Sequence, residues 1–333
     1  MKKLIIFSTV FLSILALMTV AVASGEKEAV ESNVIGISKI VSHPALDAAE
    51  QGIQDELADL GYDFEYDLQN ANGEVSTAAS IANKFKSENV RIAVGIATPT
   101  AQALANALED IVVVYTLVTD PVDAGLVDSY DRGGVNITGV SDMTPVKDQI
   151  EFLNRIKKLD SLGHVYSSGE ANAVRLAEMA REACREMGIE FIEATVTNSA
   201  EVKQATQAII NRVDGIYVST DNTVVSALSA LTEVAMEHGV PVMSADPSSA
   251  ESFDVLAAWG FDYYKMGRVT GRMIADIIEG AKPEEIPTKF MTDPSDIDLL
   301  INLDVAKKLG LTFPQDYIDS ASKIVENGEL KKK

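Results

Sequence analysis

The sequence predicts an α/β protein made of two doubly wound, Rossmann-like lobes that are joined by a hinge. Short apolar runs rich in β-branched residues alternate with segments whose apolar residues recur every three or four positions. This alternation is typical of parallel strands connected by amphipathic helices. The pattern occurs twice in series along 333 residues, which is longer than one compact core usually accommodates, so two lobes are expected.

The first half of the pattern predicts a parallel sheet that is covered by helices on both faces. Its apolar runs are continuous rather than alternating, as expected for strands that are buried on both sides. The predicted strands span 34–37, 64–68, 92–96, 111–117 and 135–140, and the predicted helices span 45–60, 76–87 and 100–108.

The second half repeats the same plan and predicts a second parallel sheet. Cys184 is the only cysteine and falls on the apolar stripe of a predicted helix. We therefore expect a buried core thiol and no intramolecular disulfide. The predicted strands span 164–166, 190–195, 215–219 and 240–244, and the predicted helices span 171–187, 200–212 and 223–238.

The chain is expected to cross between the lobes more than once, which would create a hinge and a cleft. The segment 139–145 is the predicted first crossover. An apolar run at 255–261 and a helix at 263–279, closed by Gly280 and Pro283, are predicted to return to the first lobe. A strand at 299–303 and a helix at 304–309 are predicted to go back to the second lobe. Residues after Gly328 are expected to be frayed. The predicted N-terminal lobe is 34–141 plus 256–281, and the predicted C-terminal lobe is 142–255 plus 287–328.

The N-terminus has the features of a cleaved signal peptide at 1–23. Lys2 and Lys3 precede an apolar stretch that ends in Ala-Val-Ala at 21–23, the small-residue pattern that a signal peptidase recognises. The protein is therefore expected to be exported to a periplasmic or extracytoplasmic location, with 24–33 as a flexible tether. An uncleaved membrane anchor is the alternative, because the apolar stretch is long enough to span a bilayer.

The charge balance excludes two classes of partner. The formal net charge is −22 and becomes −24 without Lys2 and Lys3. A surface this acidic repels nucleic acid and anionic lipid, so neither is an expected partner. We expect a monomer that takes a small-molecule ligand.

Polar residues follow the predicted strands at the positions where ligands bind in open parallel sheets. Such ligands lie beyond the carboxyl ends of the strands, next to helix N-termini. Thr98 and Asp221 also have the residue types of plain helix caps, and His43 is equally suited to a turn. The candidate binding residues at these positions are Thr98, Thr100, Thr119, Asp120, Ser167, Ser168, Asn172, Asp221, Asn222 and Asp246.

These residue types suit a zwitterionic ligand. They offer hydroxyls, amides and carboxylates, with almost no arginine. Helix N–H groups and Ser or Thr hydroxyls would bind the ligand carboxylate, while Asp120 or Asp221 would bind its ammonium. A polar uncharged ligand also fits this set.

The sequence does not indicate an enzyme, a cofactor or a metal site. The three histidines, His43, His164 and His238, have none of the spacings of metal ligands. The chain has no Walker loop, no Gly-x-Ser-x-Gly elbow and no Gly-x-Gly-x-x-Gly after its first strand. A binding protein is therefore favoured over a catalyst.

Several motifs together resemble the ABC-transporter substrate-binding proteins linked to tryptophan or tyrosine uptake. They retain the order and spacing of that family and are HPALD at 43–47, ATPTA at 97–101, VTDPV at 118–122, NITGVS at 136–141, GEAN at 169–172, STDNT at 219–223 and DYYKMG at 262–267.

The resemblance implies a type I periplasmic-binding fold whose lobes close on the ligand by hinge motion. It also implies a membrane permease and an ATPase as partners, and an aromatic amino acid as the favoured ligand. The cleft residues that it implies are Thr98, Thr100, Thr119, Asp120, Ser167, Asn172, Asp221, Asn222 and Asp262.

Two alternatives remain open for the function. The same hinge closure would also serve a ligand sensor that signals to a membrane receptor, and the same fold would also serve a sugar- or nucleoside-binding protein. Trp259, the only tryptophan, is expected either in the core or as a ring that stacks on the ligand.

Overall fold

The computed structural model describes residues 32–333. The predicted signal peptide at 1–23 and the predicted tether up to residue 31 lie outside the described residues. Within 32–333, no helix has both the length and the apolar character needed to cross a bilayer. From residue 32 onward, strands and helices alternate along the chain as the sequence pattern predicts.

The first sheet is parallel throughout, and with its helices it forms what we call the first lobe. Its strands are β1 (Val34–Lys39), β2 (Glu65–Asn70), β3 (Ile92–Ile96), β4 (Val112–Thr116), β5 (Ile137–Ser141) and β11 (Lys289–Phe290). Their order is β11-β5-β4-β3-β1-β2. The helices of this lobe are α1 (Pro44–Asp59), α2 (Val75–Glu88), α3 (Thr98–Ala107) and α10 (Tyr263–Ile278).

The second sheet is mixed, and with its helices it forms the second lobe. Its strands are β6 (Ser161–Ser167), β7 (Glu190–Val196), β8 (Gly215–Val218), β9 (Val242–Ser244), β10 (Ala257–Phe261), β12 (Ile297–Asn302), β13 (Lys323–Glu326) and β14 (Glu329–Lys332). Their order is β14-β13-β12-β10-β9-β8-β6-β7. The strand pairs β10–β12 and β13–β14 are antiparallel, and the other pairs are parallel.

Short helices are a feature of the second lobe. Its helices are α4 (Val146–Ile156), α5 (Ala171–Met187), α6 (Val202–Ile209), α7 (Asn222–Ser226), α8 (Leu228–Glu237), α9 (Pro247–Ala250), α11 (Leu303–Leu309) and α12 (Gln315–Ser320). The 3₁₀ turns within 32–333 are Ser199–Glu201, Ile210–Arg212, Pro283–Glu285 and Pro294–Asp296.

Burial follows the apolar pattern of the sequence. Every residue of β3 and β5 is buried, because helices or neighbouring strands cover them on all sides, whereas the edge strand β2 is partly exposed. Cys184 is fully buried in the core of the second lobe, as predicted. Burial raises the pKa of its thiol to about 12, so the thiol is protonated and unreactive at neutral pH.

The crossovers between the lobes differ in part from the predicted boundaries. The first passage, at 142–145, lies within the predicted segment 139–145. The prediction placed 256–281 in the first lobe, but β10 pairs with β9 and β12 in the second sheet, so the chain crosses at Asp262. The reason is that an apolar run indicates a buried strand without indicating which sheet it joins.

The last passage is also later than predicted. The segment 287–328 was assigned to the second lobe, but β11 pairs with β5 in the first sheet, and the chain returns at 291–296. With only two paired residues, β11 is too short to leave a periodic signal in the sequence.

The C-terminal segment is ordered, which corrects the prediction that it is frayed. Its strands β13 and β14 form a hairpin at the edge of the second sheet. The turn has Asn327 and Gly328, both with positive φ, which is the favoured pair for a two-residue hairpin. Asp304 accepts hydrogen bonds from the N–H groups of Asn327 and Gly328, at 2.9 and 2.7 Å, and so fixes the turn.

Helices α1 and α10 pack at unusually close range, and Gly267 makes this possible. A Cβ atom at Gly267 would lie 2.2 Å from the carbonyl oxygen of Ala49, a backbone atom that cannot move away by a rotamer change. We expect Gly267→Ala to lower the free energy of unfolding by about 1–3 kcal/mol, the usual cost of overpacking. Chemical denaturation measures this.

Gly169→Ala is the matched control for this prediction. A Cβ atom at Gly169 would meet nothing closer than the Ser167 hydroxyl, at 3.9 Å. Equal stability losses in Gly169→Ala and Gly267→Ala would contradict the steric explanation.

Candidate functional site

The carboxyl ends of the parallel strands in the two lobes meet around a small buried cavity. Its volume is about 20 Å³, far below the about 300–1,000 Å³ that is common for small-molecule sites, so the two lobes are closed tightly against each other here. Both lobes contribute to its walls, as expected for a site at the strand ends of two α/β sheets. The lining residues are His43, Ala45, Leu46, Leu117, Asp142, Thr220, Asp221, Asn222, Val225, Asp246 and Tyr263.

The first lobe has strained backbone at two neighbouring strand ends, one of which, at Leu117, lines the cavity. Ala97 follows β3 with φ of 78°, and Leu117 follows the neighbouring strand β4 with φ of 56°. A positive φ is uncommon for residues other than glycine and costs on the order of 1–3 kcal/mol. Such residues concentrate at ligand sites, where the strain places side chains and N–H groups that a relaxed backbone would direct elsewhere.

Asp142 is a buried carboxyl in the first-lobe wall of the cavity, directly after β5. The Thr119 hydroxyl donates a hydrogen bond to its Oδ1 at 3.1 Å. Burial raises the pKa of Asp142 to about 7, against the opposing effect of the Thr119 hydrogen bond, and the nearby Asp246 raises it further. The carboxyl of Asp142 therefore holds a proton for part of the time at neutral pH.

Asp246 contributes a second carboxyl from the opposite lobe. Its Oδ1 caps α9 by accepting hydrogen bonds from the N–H groups of Ser248 and Ser249, at 2.9 and 3.1 Å. Its Oδ2 is buried and has no hydrogen-bond partner among the described residues. That oxygen lies 4.0 Å from the Nδ1 atom of His43, which belongs to the first lobe. Asp246 is thus fixed by one oxygen and faces the cavity with the other.

His43 is buried at the start of α1, and both of its ring nitrogens lack a hydrogen-bond partner among the described residues. Burial lowers the pKa of its imidazole, although the carboxyl of Asp246 acts in the opposite direction. The sequence left open whether His43 forms a turn or a contact. The structure places its ring at the cavity, between the two lobes.

Asp221, in contrast, uses both carboxyl oxygens within the protein. The N–H groups of Ser167 and Val224 donate to Oδ2 and Oδ1, at 2.6 and 3.0 Å. Burial raises its pKa, and the charge of Glu170 raises it further. Asp221 lines the cavity, but its hydrogen bonds are those of a helix cap that joins β6 to α7.

Asn172 and Asn222 surround the buried carboxylate of Glu170. Asn222 Nδ2 donates to Glu170 Oε2 at 2.6 Å, and the N–H and hydroxyl of Thr223 donate to Oε1 at 2.9 and 2.6 Å. Asn172 Nδ2 donates to the carbonyl oxygen of Thr220 at 3.0 Å. The network holds the loop after β8 against the start of α5 and thereby shapes the second-lobe wall.

A group of buried polar atoms at the strand ends has no hydrogen-bond partner among the described residues. Buried polar atoms are normally paired, so a concentration of unpaired ones is typical of a surface that binds a polar ligand. Besides His43 and Asp246, the atoms are Ser38 Oγ, Thr98 Oγ1, Asn172 Oδ1, Ser219 Oγ and Thr220 Oγ1.

Other predicted site residues are placed in different surroundings. Thr100 donates its hydroxyl to the carbonyl oxygens of Ile96 and Ala97 within its own helix terminus. Ser167 is buried at the end of β6, whereas Ser168 is exposed and its hydroxyl contacts the carbonyl of Val196 at the sheet edge. Asp262 caps α10 through the N–H of Lys265, and it does not line the cavity.

Asp120 was predicted to bind a ligand ammonium, but its carboxylate is already occupied. It accepts hydrogen bonds from the Tyr130 hydroxyl at 2.6 Å, from the N–H of Asp123 at 3.1 Å and from Arg175 Nε at 3.3 Å. Arg175 lies on α5, in the other lobe. The sequence prediction missed this contact because the two residues are 55 positions apart and no local pattern links them.

Among the cavity residues that the sequence did not predict, two carry ionisable groups, Asp142 and Tyr263. Asp142 directly follows β5, so the strand-end rule would have found it, but its segment was interpreted only as a crossover. Tyr263 is fully buried beside Asp142 and Asp246, and it was assigned only to a helix. Burial raises the pKa of its phenol well above the ordinary value, so this group stays neutral and available as a hydrogen-bond donor.

The cavity is acidic at one part of its wall and apolar at another. Asp142, Asp221 and Asp246 line it, whereas no lysine or arginine is among the described lining residues. Leu46, Leu117 and Val225 supply apolar surface. Within 32–333, no group of histidine, cysteine and carboxylate side chains has an arrangement that could hold a metal ion. These walls suit a ligand with a cationic group and an apolar part.

Trp259 is neither in the cavity nor fully buried, so it does not stack on a cavity ligand. It is half-buried on the second lobe, where its ring lies 6.2 Å from that of Phe152, in a separate surface groove. Its carbonyl oxygen accepts a hydrogen bond from Gln149 at 2.6 Å.

Comparison with known proteins gives matches over almost all of the described chain. The family model described as ABC transporter substrate binding protein matches residues 34–325. A protein named tyrosine-binding protein, from Clostridioides difficile strain R20291, is 34% identical over 282 residues, which cover 83% of this chain and 81% of that protein.

Solved structures with similar sequences share the fold. A conserved domain protein from Vibrio cholerae is 40% identical, with a TM-score of 0.85, over 89% of this chain and all of that one. An ABC domain from Streptococcus pneumoniae in complex with L-Trp is 30% identical, with a TM-score of 0.84, over 88% of this chain and all of that one.

A third similar structure superposes less well. The ligand-free, open structure of a substrate-binding protein with adhesive properties, from Clostridium difficile, is 33% identical to this chain. The superposition covers 88% of this chain and 99% of that chain, with a TM-score of 0.66. The chain thus superposes better on the L-Trp complex than on the open structure, although its sequence identity to the open structure is slightly higher.

Proposed function

The chain belongs to the family of ABC transporter substrate-binding proteins, and from this premise we propose that it binds an amino acid, with an aromatic one favoured. The ligand would bind at the cavity between the lobes, which has a volume of about 20 Å³ and has to widen by lobe movement to admit it. The ligand would then be delivered to the permease and ATPase of an ABC importer. The observation that carries the proposal is the buried Oδ2 of Asp246. Among residues 32–333 it has no hydrogen-bond partner, its nearest basic group is His43 at 4.0 Å, and it faces the cavity beside Asp142.

The ammonium group of an amino acid matches the acidic part of the wall. Asp246 comes from the second lobe and Asp142 from the first, so an ammonium between them would contact both lobes at once. Hydrogen bonds between charged groups are stronger than neutral ones, and more so in a buried site. A ligand that connects the lobes in this way favours their closure, because it binds the closed arrangement better than the open one.

The other two parts of an amino acid also find suitable partners. Outside the present cavity lining, the buried hydroxyls of Ser38 and Thr98 have no hydrogen-bond partner among residues 32–333, and together with the start of α3 they would offer donors for a carboxylate once the cavity widens. Leu46, Leu117, Val225 and the ring of Tyr263 offer apolar surface for a side chain. The names of two relatives, one with L-Trp bound and one called tyrosine-binding, support an aromatic side chain.

The place of action follows from the family and from the N-terminal sequence. We propose that residues 1–23 are removed as a signal peptide and that the protein works as a monomer outside the cytoplasmic membrane. Lys2, Lys3 and the Ala-Val-Ala segment at 21–23 support export.

A thermal-shift screen tests the ligand assignment. The exported protein is unfolded and refolded to remove any carried ligand, and is then heated with each of the twenty amino acids, common sugars and nucleosides. A ligand at about 100 times its dissociation constant adds roughly 2.7 kcal/mol to the stability of the native state, which gives a visible rise in melting temperature. We expect a rise with Trp, Tyr or Phe.

The other outcomes of the screen separate the alternatives. A rise only with a sugar or nucleoside would retain the binding role and overturn the amino-acid assignment. A sensor has the same ligand profile as a transporter, so uptake of the labelled ligand in cells with and without the protein distinguishes the two. Unchanged uptake would favour sensing.

A further inference from the structure

The carboxylate of Asp120 forms an ion pair between the two lobes, outside the ligand cavity. Asp120 follows β4 in the first lobe, and Arg175 lies on α5 in the second. Arg175 Nε lies 3.3 Å from Asp120 Oδ2. Neither residue lines the cavity, so their contact depends on how the lobes are arranged and not on a ligand between them.

The first lobe holds the Asp120 carboxylate in position for this contact. The hydroxyl of Tyr130 and the N–H of Asp123 donate to Oδ1, at 2.6 and 3.1 Å, which leaves Oδ2 toward Arg175. The ring of Tyr130 packs edge-on against Phe290, with 5.4 Å between the ring centroids. The backbone carbonyl oxygen of Tyr130 accepts a hydrogen bond from the N–H of Thr288. Asp120 is therefore fixed in the first lobe before Arg175 approaches.

The surroundings make this ion pair stronger than an ordinary surface pair. The side chain of Asp120 is only 6% exposed, although that of Arg175 is 36% exposed. Burial acts to raise the pKa of Asp120, but the hydrogen bonds from Tyr130 and Asp123 and the charge of Arg175 outweigh it and lower the pKa. The carboxylate is thus ionised at neutral pH.

We propose that Asp120 and Arg175 form a latch that stabilises the closed arrangement of the lobes without touching the ligand. Arg175 would therefore affect ligand binding through the arrangement of the two lobes and not through contact with the ligand. Opening of the lobes breaks the pair, leaving Arg175 with Glu178 of its own helix at 3.7 Å and Asp120 with Tyr130 and Asp123. The latch therefore slows opening and ligand release, while the cavity residues determine which ligand binds. The effect of the latch on affinity rests on the proposed function, whereas its effect on lobe closure does not.

The test compares Arg175→Gln with the wild-type chain. We expect the variant to bind the best ligand of the thermal-shift screen about 3- to 10-fold more weakly, as for the loss of a partly buried ion pair. The loss should lie mainly in faster dissociation, measured by stopped-flow chase, and the ratio of affinities for Trp and Tyr should stay the same. Without ligand, X-ray scattering should give a larger radius of gyration for the variant.

Two further variants complete the design. Arg181→Gln is the matched control, because Arg181 lies on the same helix and pairs with Glu193 of its own lobe. It should change neither dissociation nor the radius of gyration. Tyr130→Phe keeps the ring against Phe290 but removes the hydroxyl that orients Asp120, and it should act in the same direction as Arg175→Gln with a smaller effect.

Three results would overturn the latch. One is an altered ranking of ligands in Arg175→Gln, which would place Arg175 at the ligand. Another is an unchanged dissociation rate together with an unchanged radius of gyration. The third is an equal effect of Arg181→Gln. If no ligand of the panel binds, the proposed function fails, and ligand-free scattering of Arg175→Gln against wild type still decides the latch.

Discussion

Asp246→Asn should weaken amino-acid binding by roughly 10- to 150-fold, which corresponds to about 1.5–3 kcal/mol for a lost hydrogen bond to a charged group. The substitution replaces the Oδ2 oxygen that faces the cavity and removes the charge that attracts an ammonium. Asparagine still caps α9 as aspartate does, so the fold should be retained. Isothermal titration calorimetry with the best ligand measures the change.

Asp262→Asn is the control for this result. Asp262 also caps a helix, through the N–H of Lys265, but it does not line the cavity. We expect no change of affinity in this variant. If Asp246→Asn binds as tightly as the wild type, or if Asp262→Asn loses as much affinity, the ammonium site is elsewhere.

Amino-acid binding should become tighter as the pH rises from about 5 to 7, by up to about tenfold per pH unit. The carboxyl of Asp142 has a pKa raised to about 7 by burial, so it is largely protonated at pH 5. A bound ammonium stabilises the ionised form and lowers this pKa in the complex. Binding therefore releases a proton below pH 7, and affinity levels off at higher pH.

Calorimetry in buffers of different ionisation enthalpy measures the released proton directly. The groups that face Asp142 are the Thr119 hydroxyl, Asp246, Tyr263 and His43. Asp142→Asn should flatten the pH dependence, whereas His43→Gln should leave most of it. Proton release that persists in Asp142→Asn and disappears in His43→Gln would assign the titration to His43 instead.

Local sequence patterns were sufficient to predict most of the fold. Continuous apolar runs and helical periodicity predicted the strands and helices of both lobes, because burial on both faces of a parallel sheet leaves a signal in each strand. It was harder to predict from the sequence which of the two sheets each strand joins. The run that forms β10 was recognised, but its pairing with β12 depends on residues 40 positions away along the chain, which no local pattern encodes.

The candidate site shows the same limit at the level of single atoms. The strand-end rule led from the sequence to Asp120, Asp221 and Asp246 as candidate site residues, since each is a carboxylate that follows a predicted strand. Asp120 or Asp221, and not Asp246, was expected to bind the ligand ammonium. In the structure, Asp221 uses both oxygens as a cap, Asp120 pairs with Arg175 across the lobes, and Asp246 keeps one oxygen toward the cavity.

The sequence by itself therefore determined the fold class, and it predicted that a candidate site lies at the strand ends with polar and acidic side chains. These follow from hydrophobic periodicity and from the residues beside each strand. Only the tertiary structure decided which carboxylates are free, that His43 and Tyr263 join them, and that Arg175 reaches Asp120 from the other lobe. The physical reason is that hydrogen-bond partners are set by distances in space, and these arise only when the two lobes meet.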